Sequence, residues 1–249
     1  MAPMTPESVL LAALFFAAAL LYSSVGHAGA SAYLAAMALV GVSASIMRPT
    51  ALVLNLFVAT IVIVRFARAG HLPFRNLVPL AAGSVPMAFL GGSIDLPGEV
   101  YRPLVAIMLL AGAWRLASAT AAPDDEEHPG VPLLPGIAAG AAIGLLAGLT
   151  GTGGGIFLTP LLVLAAWTRT RDAAGVSGAF ILVNSIAGLA GLLTGGISLP
   201  PAIPLWVAAV FAGGLIGSWL GAARFSILNL RRALGAVLVL AAAKLVFLP

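Results

Sequence analysis

"LTGTGGGIFLTP", residues 149–160, sets four glycines (Gly151, Gly153, Gly154 and Gly155) into five positions of an otherwise apolar run. Glycine weakens a helix by ~1 kcal/mol relative to alanine, so such a concentration marks a phosphate loop, a helix-packing face or a break in a helix. The phosphate loop is excluded. Position 156 is Ile where the dinucleotide pattern needs glycine, and the nearest downstream lysine, which a Walker loop requires beside its glycine, is Lys244. Gly151 and Gly155 satisfy small-xxx-small spacing, which leaves helix packing open. The sharper reading unwinds the chain at 150–154 and starts a helix near Gly155. Freed N–H groups at such a start, together with the helix dipole, attract an anion. Thr150 and Thr152 add hydroxyl donors.

The surrounding chain is a membrane chain. Of 249 residues, 61% are hydrophobic and 8% charged, against roughly 25% charged in a soluble domain. Its mean hydropathy is +1.11. The expected environment is therefore a lipid bilayer. With no cysteine, disulfides, zinc–thiolate sites and iron–sulfur clusters are excluded, and no cofactor or metal is expected. The net charge of +4 comes from cations at segment ends rather than from a basic cluster interleaved with aromatics, so no nucleic-acid partner is expected.

Residues 8–47, 131–168 and 173–223 contain no Asp, Glu, Lys or Arg, and one crossing takes about 20 residues. Ten membrane segments are expected: 8–24, 30–47, 49–66, 76–94, 101–118, 131–149, 155–168, 173–194, 203–222 and 229–248. The seventh is short enough for half a crossing or a re-entrant piece. This count places nine cations (Arg65, Arg68, Arg75, Arg115, Arg169, Arg171, Arg224, Arg231 and Arg232) on one side and three (Arg48, Arg102 and Lys244) on the other. That asymmetry is a positive-inside bias, with both termini outside the cytoplasm. "MAPMTPE" has no Lys or Arg, so the first run reads as a retained segment rather than a cleaved signal. "PDDEEHPG" (123–130) reads as a solvated acidic loop.

The halves on either side of that loop resemble each other. "VGHAGASAYLAAMAL" (25–39) lies over "TGTGGGIFLTPLLVL" (150–164). A spacing of 129 pairs Asn55 with Asn184, Gly92 with Gly221, Arg102 with Arg231 and Arg115 with Lys244. The expected organisation is a first transmembrane repeat over 1–120, an acidic cytoplasmic linker over 121–130 and a second repeat over 131–249. Because each repeat holds about five segments, the second enters the membrane inverted. Inverted repeats are characteristic of secondary transporters, which hold their substrate between the repeats near mid-bilayer. The fold class is thus an all-α polytopic membrane protein of two inverted repeats, with glycine-rich helix breaks or hairpin tips.

The intact signature Gly151, Gly153, Gly154, Gly155 and Pro160, followed by Ala174, Gly175 and Ser177, resembles the sulfite exporter TauE/SafE family of membrane permeases. The resemblance covers essentially the whole chain. The first copy of the motif departs from the pattern, with His27, Ala28 and Ala30 at motif positions. The resemblance implies transport of small sulfur-containing anions (sulfite, thiosulfate or organosulfonates) across a bacterial cytoplasmic membrane, by a secondary active, alternating-access cycle. A passive anion channel for the same substrates is the alternative. An enzyme is not expected, because the core offers neither cysteine nor carboxylate and a single histidine.

The candidate substrate-binding residues are Gly26, His27, Gly29, Ser31, Thr50, Asn55, Thr150, Gly151, Thr152, Gly153, Gly154, Gly155, Ser177 and Asn184. Asn55 and Asn184 sit mid-segment at equivalent places, either as interhelical hydrogen-bonding glue or as amide donors facing the substrate. His27 is either a packing residue or a group that handles a coupling proton or contacts the anion. Arg48, before Pro49, either snorkels to the interface or waits for an anion at the mouth. All eight carboxylates lie at segment ends or in the linker, which suits an anion path. Homo-oligomer formation stays open.

Overall fold

The computed structural model describes residues 5–24, 26–117, 128–220 and 228–247. Its elements are α1 (Pro6–Ser24), α2 (Ala30–Val40), α3 (Ala44–Arg68), α4 (Phe74–Ser93), α5 (Gly98–Ala117), α6 (Leu133–Thr150), α7 (Gly155–Leu164), α8 (Thr170–Leu193), α9 (Ile203–Leu220) and α10 (Leu228–Phe247). No strand occurs among the described residues. The first four residues and most of the acidic linker, including all four of its acids, lie outside them.

The ten expected segments coincide with these ten helices, with one clear correction. The segment expected over 30–47 ends at Val40, because Gly41 adopts a left-handed conformation (φ 87°) and its N–H donates to Ala38 O and Met37 O. With Val42 N–H also donating to Met37 O, this is a Schellman stop. The chain restarts at Ala44, which places Arg48 and Pro49 inside α3 rather than ahead of it. Hydropathy could not show this, because the apolar run continues across the stop. Five helices (α1, α3, α6, α8 and α9) are long and apolar enough to cross a bilayer. Helices α2 and α7 are apolar but have only 11 and 10 residues.

Helix lengths of 19, 11, 25, 20 and 20 residues are followed by 18, 10, 24, 18 and 20. The agreement extends to the caps. Helix α2 starts after left-handed Gly29 (φ 102°) and stops at Gly41; α7 starts after left-handed Gly154 (φ 83°) and stops at Ala166 (φ 51°). Each stop lies 12 residues after its start, and the second pair lies 125 residues after the first. Ala166 completes its own Schellman stop through Trp167 N–H to Leu162 O at 2.9 Å, at a conformation that costs a non-glycine residue about 1–2 kcal/mol.

Packing interleaves the two halves: α1 lies on α9, α4 on α6 and α8, α3 on α8 and α9, and α5 on α10. The α4–α6 seam shows why Gly136, Gly140, Gly144 and Gly148 recur every fourth residue. A Cβ on Gly140 would stand 2.1 Å from Leu80 O, and one on Gly144 2.4 Å from Ser84 O. Only glycine lets these backbones meet, and close backbone approach is the main attraction between helices in lipid.

Candidate functional site

The site is built from the two interruptions, 26–29 ahead of α2 and 151–154 between α6 and α7. Gly26 closes α1 and Gly151 closes α6, both left-handed (φ 84° and 82°). Each break then reopens as a helix whose first residue follows a left-handed glycine, and neither start carries a side-chain cap. The first N–H groups of a helix have no intrahelical partner, so both starts present uncommitted donors. The sharper of the two readings of the glycine stretch is the one seen: a break followed by a helix from Gly155.

The carbonyl ends of the breaks, by contrast, are satisfied. Tyr33 Oη donates to Ala28 O at 2.6 Å, and Tyr101 Oη donates to Thr150 O at 3.0 Å. Thr150 Oγ1 donates to Leu146 O at 2.7 Å and lies 3.0 Å from Thr152 Oγ1. With carbonyls occupied and N–H groups left over, the polarity of the breaks favours a negative guest.

Side chains from α3 and α8 line the second break. A Cβ on Gly153 would stand 2.8 Å from Asn55 Nδ2 and 3.3 Å from Ser185 Oγ. Asn55 Nδ2 itself reaches Ser185 Oγ at 3.4 Å. The two breaks are joined by a hydroxyl chain in which Thr159 Oγ1 is 2.9 Å from His27 Nε2 and 2.8 Å from Ser177 Oγ. At the first break, Gly26 lies against Ala174 and Phe66, and Gly29 lies beneath the Tyr33 ring. Ser31 Oγ bonds Tyr22 Oη at 2.7 Å.

Several buried polar atoms have no partner among the described residues: Thr50 Oγ1, Asn55 Oδ1, Ser84 Oγ, and both Nδ2 and Oδ1 of Asn184. Thr50, Asn55 and Asn184 are wholly buried. An unpaired buried polar group costs about 1–3 kcal/mol. Interhelical glue does not describe Asn184, since no hydrogen bond joins its side chain to another described residue. Of the expected site, the structure brings together His27 with Ser177 through Thr159, Asn55 with Gly153, and Thr150 with Thr152. It leaves Thr50 and Asn184 without a bond to either break.

Arg48 does not snorkel to the interface. It is 5% exposed, and its guanidinium donates to Gly148 O (2.8 Å), Ile94 O (2.9 Å) and Gly91 O. These carbonyls close α6 and α4, where helices leave acceptors unsatisfied and dipoles turn negative. One cation thus caps two helices at once, and its backbone lies against Gly151. Arg48 also forms part of a cleft of about 510 Å³ with Ser45, Asp95, Tyr101, Arg102 and Ser198. Thr159, Ser185, Tyr33 and Tyr101 are the functional candidates that sequence reasoning missed. Thr159 sits inside the glycine stretch and Ser185 beside Asn184, so adjacency was the available signal.

Comparison with known proteins agrees with this architecture. A curated relative from Sinorhizobium fredii (strain NBRC 101917 / NGR234), named "Probable membrane transporter protein y4hK", is 38% identical, covering 98% of this chain and 100% of the relative. No solved structure matches the chain. The family described as Sulfite exporter TauE/SafE matches residues 10–245. Ten helices around two glycine breaks, a transporter relative aligned end to end and a family match over nearly every residue lead to one assignment: the chain belongs to the TauE/SafE family of membrane transporters.

Proposed function

We propose that this protein is a secondary active transporter of small sulfur-containing anions, sulfite, thiosulfate or an organosulfonate, in a bacterial cytoplasmic membrane. The observation that carries the proposal is the pair of uncapped helix starts at Gly29 and Gly154, joined by the His27–Thr159–Ser177 chain. Their N–H groups, with Asn55, Ser185 and the hydroxyls of Thr150 and Thr152, supply donors for an oxyanion. Helix starts bind such groups through backbone N–H and dipole together. The family name supplies the sulfur class, because backbone donors alone do not distinguish sulfite from another small oxyanion.

Alternating access is supported by the matched helix lengths and by the exchange of partners between halves, α1 with α9 and α4 with α6. In the proposed cycle the halves, an inverted pair, rock about the anion. His27 is the group placed to follow a coupling proton, since it is hydrogen-bonded within the site. Uptake of sulfite, thiosulfate and sulfoacetate into proteoliposomes, with and without a pH gradient, tests this. Saturable uptake that responds to the gradient is expected. Uptake that never saturates and ignores the gradient would identify a channel instead, and no uptake of any of the three would overturn the substrate class.

A further inference from the structure

A second cleft, of about 520 Å³, lies away from the glycine breaks. Its walls come from three places in the chain: the start of α4 (Pro73, Arg75, Asn76), the approach to α6 (His128, Pro129, Gly130) and the start of α8 (Trp167 to Arg169, and Asp172). Helices α4, α6 and α8 all begin at this end, after Pro73, Pro132 and Arg169, and none of the three starts has a side-chain cap. Positive ends of three helix dipoles therefore converge where two guanidinium groups already stand.

The cleft is held in shape. Asn76, 7% exposed, accepts Val131 N–H on Oδ1 at 3.3 Å. Left-handed Gly130 (φ 89°) lets the loop pass so close that an added Cβ would meet Asn76 Oδ1 at 2.9 Å and Arg75 Nη2 at 3.1 Å. Among the described residues the one carboxylate lining it, Asp172, is engaged by His71 Nδ1 at 3.0 Å. Among the described residues neither Arg75 nor Arg169 forms an ion pair, and His128 Nδ1 is buried without a hydrogen-bond partner. Net positive charge among the described lining residues, helix starts without side-chain caps and an unused buried nitrogen are the complement of an anion. The Trp167 indole and two prolines give the same space an apolar wall, and the volume falls in the range of small-molecule pockets, well above what a bare oxyanion fills.

We propose that this cleft is a binding site for a small organic oxyanion, a sulfonate or phosphate head carrying a short apolar group. The head is held by Arg75 and Arg169, and the apolar part lies against Trp167. Such a head is also the chemistry of an anionic lipid, and the proposal commits to the soluble ligand. It goes beyond the transport proposal and does not depend on it, because the site is read at equilibrium and not by flux.

The test titrates the purified full chain, in a neutral detergent, with ethanesulfonate and with inorganic sulfate while following tryptophan fluorescence. The component that disappears in Trp167→Phe isolates this cleft from any mid-membrane binding. A saturable Trp167 signal is expected, tighter for ethanesulfonate than for sulfate. Arg75→Gln/Arg169→Gln should weaken it on the order of 100-fold, about tenfold for each charge-assisted contact, with an unchanged thermal unfolding profile. Asp172→Asn should tighten it. Absence of a saturable signal, or affinity unchanged in the double variant, would overturn the proposal. So would a Trp167 response produced only by nanodiscs containing phosphatidylglycerol, which would make the occupant a lipid. Binding without liposome uptake would contradict transport alone, and uptake without binding here would contradict this site alone.

Discussion

Replacing Arg48 with methionine removes three hydrogen bonds while keeping a side chain that fills space. The carbonyls of Gly148, Ile94 and Gly91 then lose the donor that closes the ends of α6 and α4. Hydrogen bonds to charged groups contribute roughly 1.5–3 kcal/mol each. Three of them set a gross loss of roughly 4–9 kcal/mol, but methionine also removes the desolvation cost of a cation that is 5% exposed. What remains is three buried carbonyls without a donor, at about 1 kcal/mol each, for a net loss of about 3 kcal/mol. For a chain of this size that corresponds to a fall in unfolding temperature of about 6–12 °C. Thermal unfolding followed by intrinsic tryptophan fluorescence in detergent is the suitable assay, since the chain has four tryptophans and no cysteine for a thiol dye. Arg48→Lys should fall between the two, because an ammonium is a point donor that cannot span three carbonyls on two helices. A methionine variant within 2 °C of wild type would refute the claim that one cation caps both helices.

Other substitutions separate the site from its scaffold. Asn184→Leu removes a wholly buried amide with neither polar atom paired. It should raise the unfolding temperature by a few degrees, from ~1–3 kcal/mol of relieved desolvation, while abolishing saturable uptake. A large fall in stability would instead mark Asn184 as structural glue. Gly154→Ala meets Ile143 Cγ2 at 2.8 Å and Phe180 Cε1 at 2.9 Å from a left-handed backbone, and should cost about 2–4 kcal/mol. Gly196→Ala, with φ 80° and no atom within 4 Å of the added carbon, should cost only about 1 kcal/mol in the same unfolding assay. Tyr101→Phe loses one hydrogen bond to Thr150 O and should lower stability by about 1 kcal/mol.

The helices were legible in the sequence because charge-free runs and flanking cations are themselves the physics of insertion. The breaks were legible because four glycines inside an apolar run weaken a helix more than packing alone requires. What stayed hidden depends on contacts between distant residues. Arg48 reads as a cation beside a proline, and its acceptors lie 43 to 100 residues away. Its burial depends on α3 starting at Ala44, which the continuous hydropathy of 30–47 masks. Gly151 and Gly155 carry small-xxx-small spacing, but close helix-to-helix backbone packing also runs along Gly140 and Gly144, a spacing equally plain in the sequence. Thr159 and Ser185 are not legible as site residues, because sequence spacing places hydroxyls on a helix without saying which face meets a break in another half. Asn55 and Asn184, matched by their spacing of 129 residues, have separate surroundings: one touches Gly153 and Ser185, the other pairs with no described residue.

If the paired breaks hold an anion, diffraction can locate it. Crystals of the full chain grown with selenite, the selenium counterpart of sulfite, and measured at the selenium absorption edge would give an anomalous peak at any bound oxyanion. A peak is expected within hydrogen-bonding distance of the helix start at Gly154 and of Asn55 or Ser185, displaced by excess sulfite and missing in Asn55→Leu. Ordered crystals whose only selenium peaks lie away from both breaks would contradict it.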